Sequence, residues 1–320
     1  MNTTICASIT ITPHDPLCFT KTSFPFYFSP KPRLFNSISD VTLVMVGPIL
    51  AYWSLSLVFY YFDTSGWKWL EKYRIHESSE ITSRDLATRS QVLWAVIFQQ
   101  IIQTIVAVFW MSGESVHSVN HAQEMRRIAA YIQPGLSWAP TDFLSPRVLA
   151  HTTDFIYWWG IPMFQLFAAM FIIDTWQYFL HRLMHINKFL YKHFHSWHHR
   201  LYVPYAFGSI YNHPLEGFLL DTLGALIAEW ASRMSTRQAL FLFTFSTFKA
   251  VDDHCGYSFP WDPLQMLTTN NADYHDIHHQ AIGIKSNFSQ PFFVHWDALL
   301  GTQMTRKDVK DRRQKISKTQ

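Results

Sequence analysis

The sequence has few charged residues and few cysteines, and each shortage excludes a class of protein. Asp, Glu, Lys and Arg make up 15% of the 320 residues, against about 25% in an ordinary soluble domain. Cys6, Cys18 and Cys255 stand far apart and form no CxxC pair, which argues against a disulfide framework and against a zinc site built from thiolates. The net charge of only +3 gives little support to nucleic-acid binding.

The first forty residues also lack the layout of a cleaved signal peptide. The first lysine is Lys21, and prolines interrupt the chain up to Pro32, whereas a signal peptide has a basic start followed by an apolar stretch. Residues 1–40 are therefore predicted to be an irregular leader.

What the sequence does have is long apolar runs. Residues 41–62 and 91–111 carry no formal charge, and residues 155–180 carry only Asp174. Each run reaches the about 20 residues that a helix needs to cross a bilayer, and aromatic residues flank the third run as they do at membrane interfaces. The alternative is three buried helices of a soluble protein, which the length of the runs and their aromatic rims disfavour.

Two shorter apolar segments, 217–230 and 239–251, follow on either side of the polar break ASRMSTRQ. At about 14 residues each they are short of the full bilayer core, so we expect a helical hairpin that dips into the bilayer or just crosses it and returns the chain to the side that it left. Loop 63–90 holds five Lys and Arg, loop 112–154 three, and the chain after residue 252 eight. This asymmetry places the first loop and the C-terminus in the cytosol.

The histidines are concentrated near the ends of these apolar segments. Eight of them fall into HxxxH, HxxHH and HxxHH boxes: His181, His185, His195, His198, His199, His275, His278 and His279. Within each box, a spacing of three or four residues places the rings on one face of an α-helix. His213 precedes the hairpin and His254 follows it. Because the hairpin returns the chain to the side that it left, all of these rings can meet at one membrane-proximal site.

Eight or nine imidazoles are enough for two metal ions with open coordination positions. Imidazole binds zinc, copper, iron and nickel alike, so the ligands alone leave the metal open. A site against a bilayer, walled by aromatic helices, is suited to a lipid chain, and an unactivated methylene offers no bond to hydrolyse. Its reaction requires a redox metal and dioxygen, which favours a di-iron oxygenase.

The boxes HRLMH, HSWHH and YHDIHH resemble those of the fatty acid hydroxylase and sterol desaturase superfamily. Three longer strings resemble its sphinganine C4-hydroxylases more specifically: HFHSWHHRLYVPYAFGSIYNHPLEGFLLDTLGA, FKAVDDHCGYSFPWDP and NNADYHDIHHQAIGIKSNFSQPFFVHWDALLGT. The resemblance covers about residues 170–303. It does not extend to the leader or to the first two apolar runs.

The resemblance implies an enzyme of the endoplasmic reticulum membrane with its active site in the cytosol. Such an enzyme uses dioxygen and two iron ions to hydroxylate C4 of sphinganine or dihydroceramide, which gives phytosphingosine or phytoceramide. Electrons would come from NAD(P)H through cytochrome b5 and its reductase, and ceramide synthase would be a further partner beside the lipid bilayer.

Carried over position by position, the resemblance makes nine histidines both metal ligands and catalytic residues: His181, His185, His195, His198, His199, His254, His275, His278 and His279. His213 is a tenth candidate ligand; alternatively, with Glu216, it orients a ligand ring through its other nitrogen. His193 is predicted to lie at the interface or beside the ligands. Asp252, Asp253 and Asp276 are candidates to accept hydrogen bonds from ligand rings, or else are solvated or capping carboxylates. The histidines predicted to be structural are His14, His76, His117, His121, His151 and His295.

These inferences define an all-α integral membrane protein with about four transmembrane or hairpin helices and a cytosolic, histidine-rich helical cap. The predicted divisions are the leader, N-terminal transmembrane helices and loops in 41–154, a fatty acid hydroxylase catalytic domain in 155–303 and a basic, solvated C-terminal tail in 304–320.

Several alternative functions stay open. A sterol C4-methyl oxidase, a sterol desaturase or a fatty acid 2-hydroxylase would use the same metal centre. A membrane metal transporter would need ligands at mid-membrane depth, where the first two apolar runs offer only Gln99, Gln100 and Gln103 as notable polar residues. A membrane zinc hydrolase would work with zinc and without oxygen.

Overall fold

The computed structural model describes residues 24–76, 83–112, 119–136 and 146–319. Within these ranges the chain is helical and forms no strand; an isolated antiparallel bridge joins Arg74 and Tyr257. The predicted all-α fold is therefore confirmed. The chain divides into two units, one of residues 1–39 and 113–167, the other of residues 40–112 and 168–320.

The α-helices, in chain order, are α1 (Asp40–Thr64), α2 (Lys68–Glu71), α3 (Arg89–Met111), α4 (His121–Leu136), α5 (Pro146–Phe155), α6 (Ile161–Ile186), α7 (Lys188–His193), α8 (Pro214–Gly217), α9 (Gly224–Ser232), α10 (Thr236–Asp253), α11 (Pro263–Leu267), α12 (Ala272–His279), α13 (His295–Leu299) and α14 (Arg306–Thr319). The π-helical turns are Ile156–Gly160 and Phe218–Leu223, and the 3-10 helices are His195–Arg200 and Ala206–Ile210.

Among the described residues, three helical segments are long and apolar enough to cross a membrane: Asp40–Thr64, Arg89–Met111 and Val148–Ile186. They contain the three predicted apolar runs. Large apolar side chains such as those of Trp94 and Phe109 are 70% and 76% exposed, and patches of this kind are rare on soluble monomers. The segments therefore have the surface of helices that face lipid.

The third apolar segment contains a π-helical turn just before Pro162. Proline has no N–H to bond one turn back along a helix, and wide turns of this kind accommodate such a gap. After the turn, α6 continues beyond the predicted end at Leu180 as far as Ile186. That extension keeps the first histidine box on the helix.

The predicted hairpin is present, but its two arms are longer than expected. One arm runs continuously from Pro214 to Ser232, and the other is the 18-residue α10, about 27 Å long. The polar break shrinks because Ser235 and Gln238 form a capping box that starts α10 within it. Packing of α1 on α10 is close at Gly47, where an added Cβ would lie 2.8 Å from a side-chain atom of α10.

The basic C-terminal segment is anchored to the fold by its first two turns. In α14, Arg306 pairs with Asp273 at 2.7 Å, and Val309 packs against Ile277 and Met304. The prediction of a solvated tail is therefore wrong for the start of this segment.

In the other unit, residues 24–39 contain turns and bends but no helix. Phe24 and Phe28 pack around Trp158 in a small aromatic cluster. The described part of the leader is therefore irregular, as predicted, although its aromatic residues have packing partners.

Candidate metal centre

The last two turns of α6 carry the first pair of histidines. His181 and His185 lie four residues apart on this helix, as their spacing predicts, and they are 2% and 8% exposed. Their ring centroids are 4.9 Å apart. The helix therefore presents both rings to the interior of the protein.

The second box does not form the α-helix that its spacing predicts. α7 ends at His193, and His195–Arg200 is a 3-10 helix. Side chains three residues apart eclipse one another in a 3-10 helix, and the rings of His195 and His198 are stacked with centroids 5.7 Å apart. This change of helix type determines which neighbours each ring of the box meets.

α10 and α12 supply the remaining four rings. His254 is the residue at which α10 ends. α12 begins at Asn271, whose side chain accepts the backbone N–H of Tyr274 at 2.9 Å. The third box lies on this short helix, as predicted, and its three rings are buried.

Nine of the predicted ligands form two groups, in each of which the candidate ligand atoms lie within 4.8 Å of one another. The five-histidine group consists of His181, His185, His195, His199 and His278. The four-histidine group consists of His198, His254, His275 and His279. The boxes and the groups do not correspond, since the second and third boxes each contribute to both groups.

In both groups the Nε2 atoms converge. The distance between Nε2 atoms is 2.7 Å from His185 to His195, 3.1 Å from His181 to His195 and 2.9 Å from His254 to His275. Metal–nitrogen bonds of about 2.1 Å at right angles place neighbouring donors about 3.0 Å apart. The spacings therefore fit imidazoles arranged around one metal ion in each group.

The other ring nitrogen, Nδ1, is held mostly by backbone carbonyls. In four rings the Nδ1–H group donates to a backbone carbonyl. The pairs are His181 with Phe288 at 2.8 Å, His254 with Ala250 at 2.8 Å, His278 with Ser286 at 2.7 Å and His279 with Leu201 at 2.7 Å. A proton on Nδ1 leaves the lone pair of Nε2 free for a metal and fixes the orientation of the ring.

One ligand ring is held by a carboxylate instead. His195 Nδ1 donates to Oε1 of Glu216 at 2.5 Å, and both side chains are 1% exposed. The sequence offered Glu216 and His213 together as the groups that orient a ligand ring, and the structure brings only Glu216 to such a ring. A carboxylate behind a ligating histidine increases the basicity of the ring.

His213 reaches neither group. Its Nδ1 accepts the backbone N–H of Leu215 at 3.2 Å, and its ring packs against Phe194 and Trp197. The ring therefore caps α8 and fills space beside the second box. Its geometry does not support the prediction of a tenth ligand.

The three aspartates proposed as acceptors for ligand rings bond elsewhere in the described part of the chain. Asp252 accepts a hydrogen bond from Gln265, and Asp253 forms an ion pair with Lys249. Asp276 has three partners: His76, Gln280 and Arg306. These contacts join α10, α12 and α14 to their surroundings. The expectation that they orient the ligands is not met.

The other histidines lie away from both groups where they are described. His193 is exposed and its ring lies against that of Phe189 in a tilted arrangement, and His151 is exposed. His121 bonds to Tyr157, His295 stacks on Phe171, and His76 bonds to Asp276. His14 and His117 lie outside the described residues.

Burial keeps the ligand rings neutral. It lowers the pKa of His198 to about 4 and the pKa of His254 and His278 to about 3, with neighbouring imidazoles as a further cause for the last two. Neutral imidazole is the form that binds metal. The site is therefore electrostatically prepared for cations at neutral pH.

A cavity opens on the four-histidine group. His254 and His275 lie in its wall, and apolar side chains including Val44, Ile173 and Phe243 line it farther along. Its walls come from α1, α3, α6 and the hairpin, so it runs among the apolar helices. Asp221 and Ser209 are among the polar residues of the cavity wall that were not predicted from the sequence. The charge of Asp221 inside an apolar segment was an available signal.

Comparison with known proteins is consistent with this architecture. A family model described as fatty acid hydroxylase matches residues 166–302. The sphingolipid C4-hydroxylase of Saccharomyces cerevisiae is 46% identical over 90% of this chain and 81% of its own length. Sphinganine C4-monooxygenase 1 of Arabidopsis thaliana is 43% identical over 84% of this chain and 89% of its own length.

A protein of Oryza sativa named very-long-chain aldehyde decarbonylase is 41% identical over 83% of this chain and 90% of its own length. No solved structure matches the chain. The apolar helices and the paired histidine groups define a helical protein with membrane-type spans and two histidine groups that could each hold a metal ion. The chain belongs to the fatty acid hydroxylase family.

Proposed function

We propose that this chain is a monooxygenase that hydroxylates C4 of sphinganine or dihydroceramide and gives phytosphingosine or phytoceramide. The observation that carries the proposal is the convergence of nine neutral imidazoles into two groups, one of which lies in the wall of an apolar cavity. The names of the yeast and plant relatives supply the substrate and the carbon position.

In this proposal each histidine group holds one iron ion through Nε2, and His213 is not a ligand. Iron bound there would supply the activation of dioxygen, with electrons from NAD(P)H through cytochrome b5 and its reductase. The backbone carbonyls and Glu216 hold the rings in the tautomer that ligation requires. The buried walls exclude water, and the cavity aligns the substrate chain with the four-histidine group.

The proposed location is the endoplasmic reticulum membrane, with the histidine groups and the C-terminus on the cytosolic side. The structural support is that the ligands occupy the ends of apolar helices, with His181 and His185 on the last two turns of α6 and His254 at the end of α10. Ceramide synthase is proposed as a partner because its acylation of long-chain bases would consume the free-base product or supply dihydroceramide as substrate.

The test is a long-chain-base profile of cells that lack their own C4-hydroxylase. The cells express the unaltered chain, His198→Ala, or His193→Ala as a matched surface control. We expect phytosphingosine with the unaltered chain and with His193→Ala, and none with His198→Ala. Absence of 4-hydroxylated base from cells that contain membrane-inserted, iron-loaded protein would refute the proposed reaction.

The rice relatives give a second candidate reaction, the decarbonylation of very-long-chain aldehydes. The same expression strains decide between the two when their hydrocarbons are profiled beside their long-chain bases. Alkanes without phytosphingosine would favour this candidate. Sterol intermediates and 2-hydroxy fatty acids in the same extracts cover the other family reactions.

A further inference from the structure

Several carboxylates line the apolar cavity, and that of Asp221 forms no ion pair with a Lys or Arg in the described part of the chain. Asp221 lies in the cavity wall, and its Oδ2 accepts a hydrogen bond from Asn212 Nδ2 at 3.3 Å. A carboxylate held in apolar surroundings without a cation is costly, so this position favours a cationic ligand.

Asp221 is also close to the metal ligands. Asn212, which bonds to Asp221, directly follows Tyr211, whose carbonyl accepts from His198 Nδ1 at 3.2 Å. Asp221 and the ligands His254 and His275 also line the same cavity. The carboxylate is therefore held by the residue next to one that supports a ring of the four-histidine group.

A second polar group lies in the same wall. Among the described residues, the buried Ser209 Oγ has no hydrogen-bond partner, and Ser209 lines the cavity two residues before Tyr211. A buried hydroxyl without a partner is uncommon in proteins. Asp221 and Ser209 thus offer an anionic acceptor and a hydroxyl on neighbouring segments beside the metal ligands.

The rest of the cavity suits an alkyl chain. Along α3 it extends from Gln100 to Met111, a rise of about 16 Å. The carboxylate at its other end, Glu229, already accepts a hydrogen bond from Trp110 Nε1 at 3.2 Å. Ser209, whose hydroxyl has no partner among the described residues, is located on the segment that also contacts a ligand ring, and Asp221 bonds to Asn212 of that segment.

We infer that Asp221 binds the C2 ammonium of a free long-chain base, that Ser209 bonds to a hydroxyl of the same head group, and that the alkyl chain extends along α3. The inference rests on the proposed function and specifies its substrate. In sphinganine the ammonium is two carbons from C4, so an anchor beside His198 places C4 at the four-histidine group. Dihydroceramide has a neutral amide at C2 and gains nothing from the carboxylate.

The test compares sphinganine with its analogue that has a hydroxyl in place of the amine, using purified holoenzyme with its electron donors. For the unaltered chain, kcat/KM for sphinganine should exceed that for the analogue by about 30-fold or more, the effect of one buried charge pair. Asp221→Asn, which keeps the shape and a hydrogen-bonding group, should reduce this ratio to within about threefold of unity. Glu229→Gln removes the other carboxylate and should leave the ratio as it is.

Each result is informative because the ratio is internal to one enzyme preparation. An unaltered enzyme that treats the two compounds equally would overturn the inference even if Asp221→Asn did not fold. A ratio that persists in Asp221→Asn, or that collapses in Glu229→Gln, would overturn it as well. Failure of the unaltered holoenzyme to hydroxylate either compound would instead refute the proposed function. Thermal stabilisation by sphinganine, lost in Asp221→Asn, would support the anchor independently of turnover.

Discussion

The two histidine groups differ in their ligand number, their support and their access to the cavity. The five-histidine group has one ring held by the carboxylate of Glu216. The four-histidine group has fewer protein ligands, and two of its members, His254 and His275, lie in the cavity wall. Fewer ligands leave more of a metal's coordination sphere free, as in catalytic rather than structural sites.

The comparison suggests that the two histidine groups have different roles in the proposed reaction. The four-histidine group combines free coordination positions with contact to the proposed substrate path. The five-histidine group should retain its metal more firmly, because it has one more ligand and a carboxylate behind one ring. Variants that alter one group at a time test this difference.

Removing one ligand from each group should have unequal consequences for iron. His275→Ala leaves three rings in its group, and we expect about one iron per chain and less than about 1% of the activity. His199→Ala leaves four rings in its group, and we expect both irons to stay bound with reduced turnover. Iron analysis of purified protein, with His193→Ala as the control, measures this. Equal loss of iron from the two variants would contradict the comparison.

Acid should release iron from both groups, the four-histidine group first. The lowered pKa values of His198, His254 and His278 mean that the unfolded chain binds more protons than the folded chain between pH 6.5 and about 3 to 4. Stability is therefore greatest above pH 6.5 and falls as the pH decreases through this window. Because the five-histidine group can lose one ligand to a proton, its iron should persist to lower pH.

Iron content after dialysis at stepped pH, measured beside the unfolding temperature of the metal-free protein, tests this expectation. Two separate release steps are expected for the unaltered chain, and in His199→Ala they should merge. A metal-free protein whose unfolding temperature rose as the pH fell would show that the sign is wrong.

Glu216 should matter for the five-histidine group alone. Glu216→Gln removes the charge behind His195 while it preserves the size of the side chain, and outer carboxylates of this kind contribute about 10–100-fold to metal affinity. We expect weaker retention of one iron of the two during chelator challenge. The exposed Glu71→Gln serves as control. Loss of both irons together would show that the groups are not independent.

The long apolar helices could be predicted from the sequence because length and apolar composition determine a membrane span. The runs at 41–62 and 91–111 match α1 and α3 within a few residues at each end. The hairpin arms were underestimated because capping by Ser235 and Gln238 starts a helix inside a polar segment. A capping box can be recognised in a sequence, but a search for runs of apolar residues does not detect it.

The partition of the ligands could not be read from the boxes. Spacing of i, i+3, i+4 predicts one α-helical face, but the second box is a 3-10 helix, and His198 joins a different group from His195 and His199. On α12, a regular helix, His278 still separates from His275 and His279, because its ring meets His181 and His185 of the five-histidine group. Tertiary packing decides both outcomes. The distinction between Glu216 and His213 depends on packing in the same way.

Replacing His213 should have the smallest effects on iron binding and stability, because His213 lies near the metal ligands but is not one of them. His213→Ala removes the cap of α8 and should cost about 0.5–1 kcal/mol of stability, with two irons retained. His193→Ala, on the exposed end of α7, should change stability by less than about 0.5 kcal/mol. Chemical unfolding and iron analysis of both variants measure this. Loss of one iron from His213→Ala would make it a ligand after all and would remove the difference in ligand number on which the comparison rests.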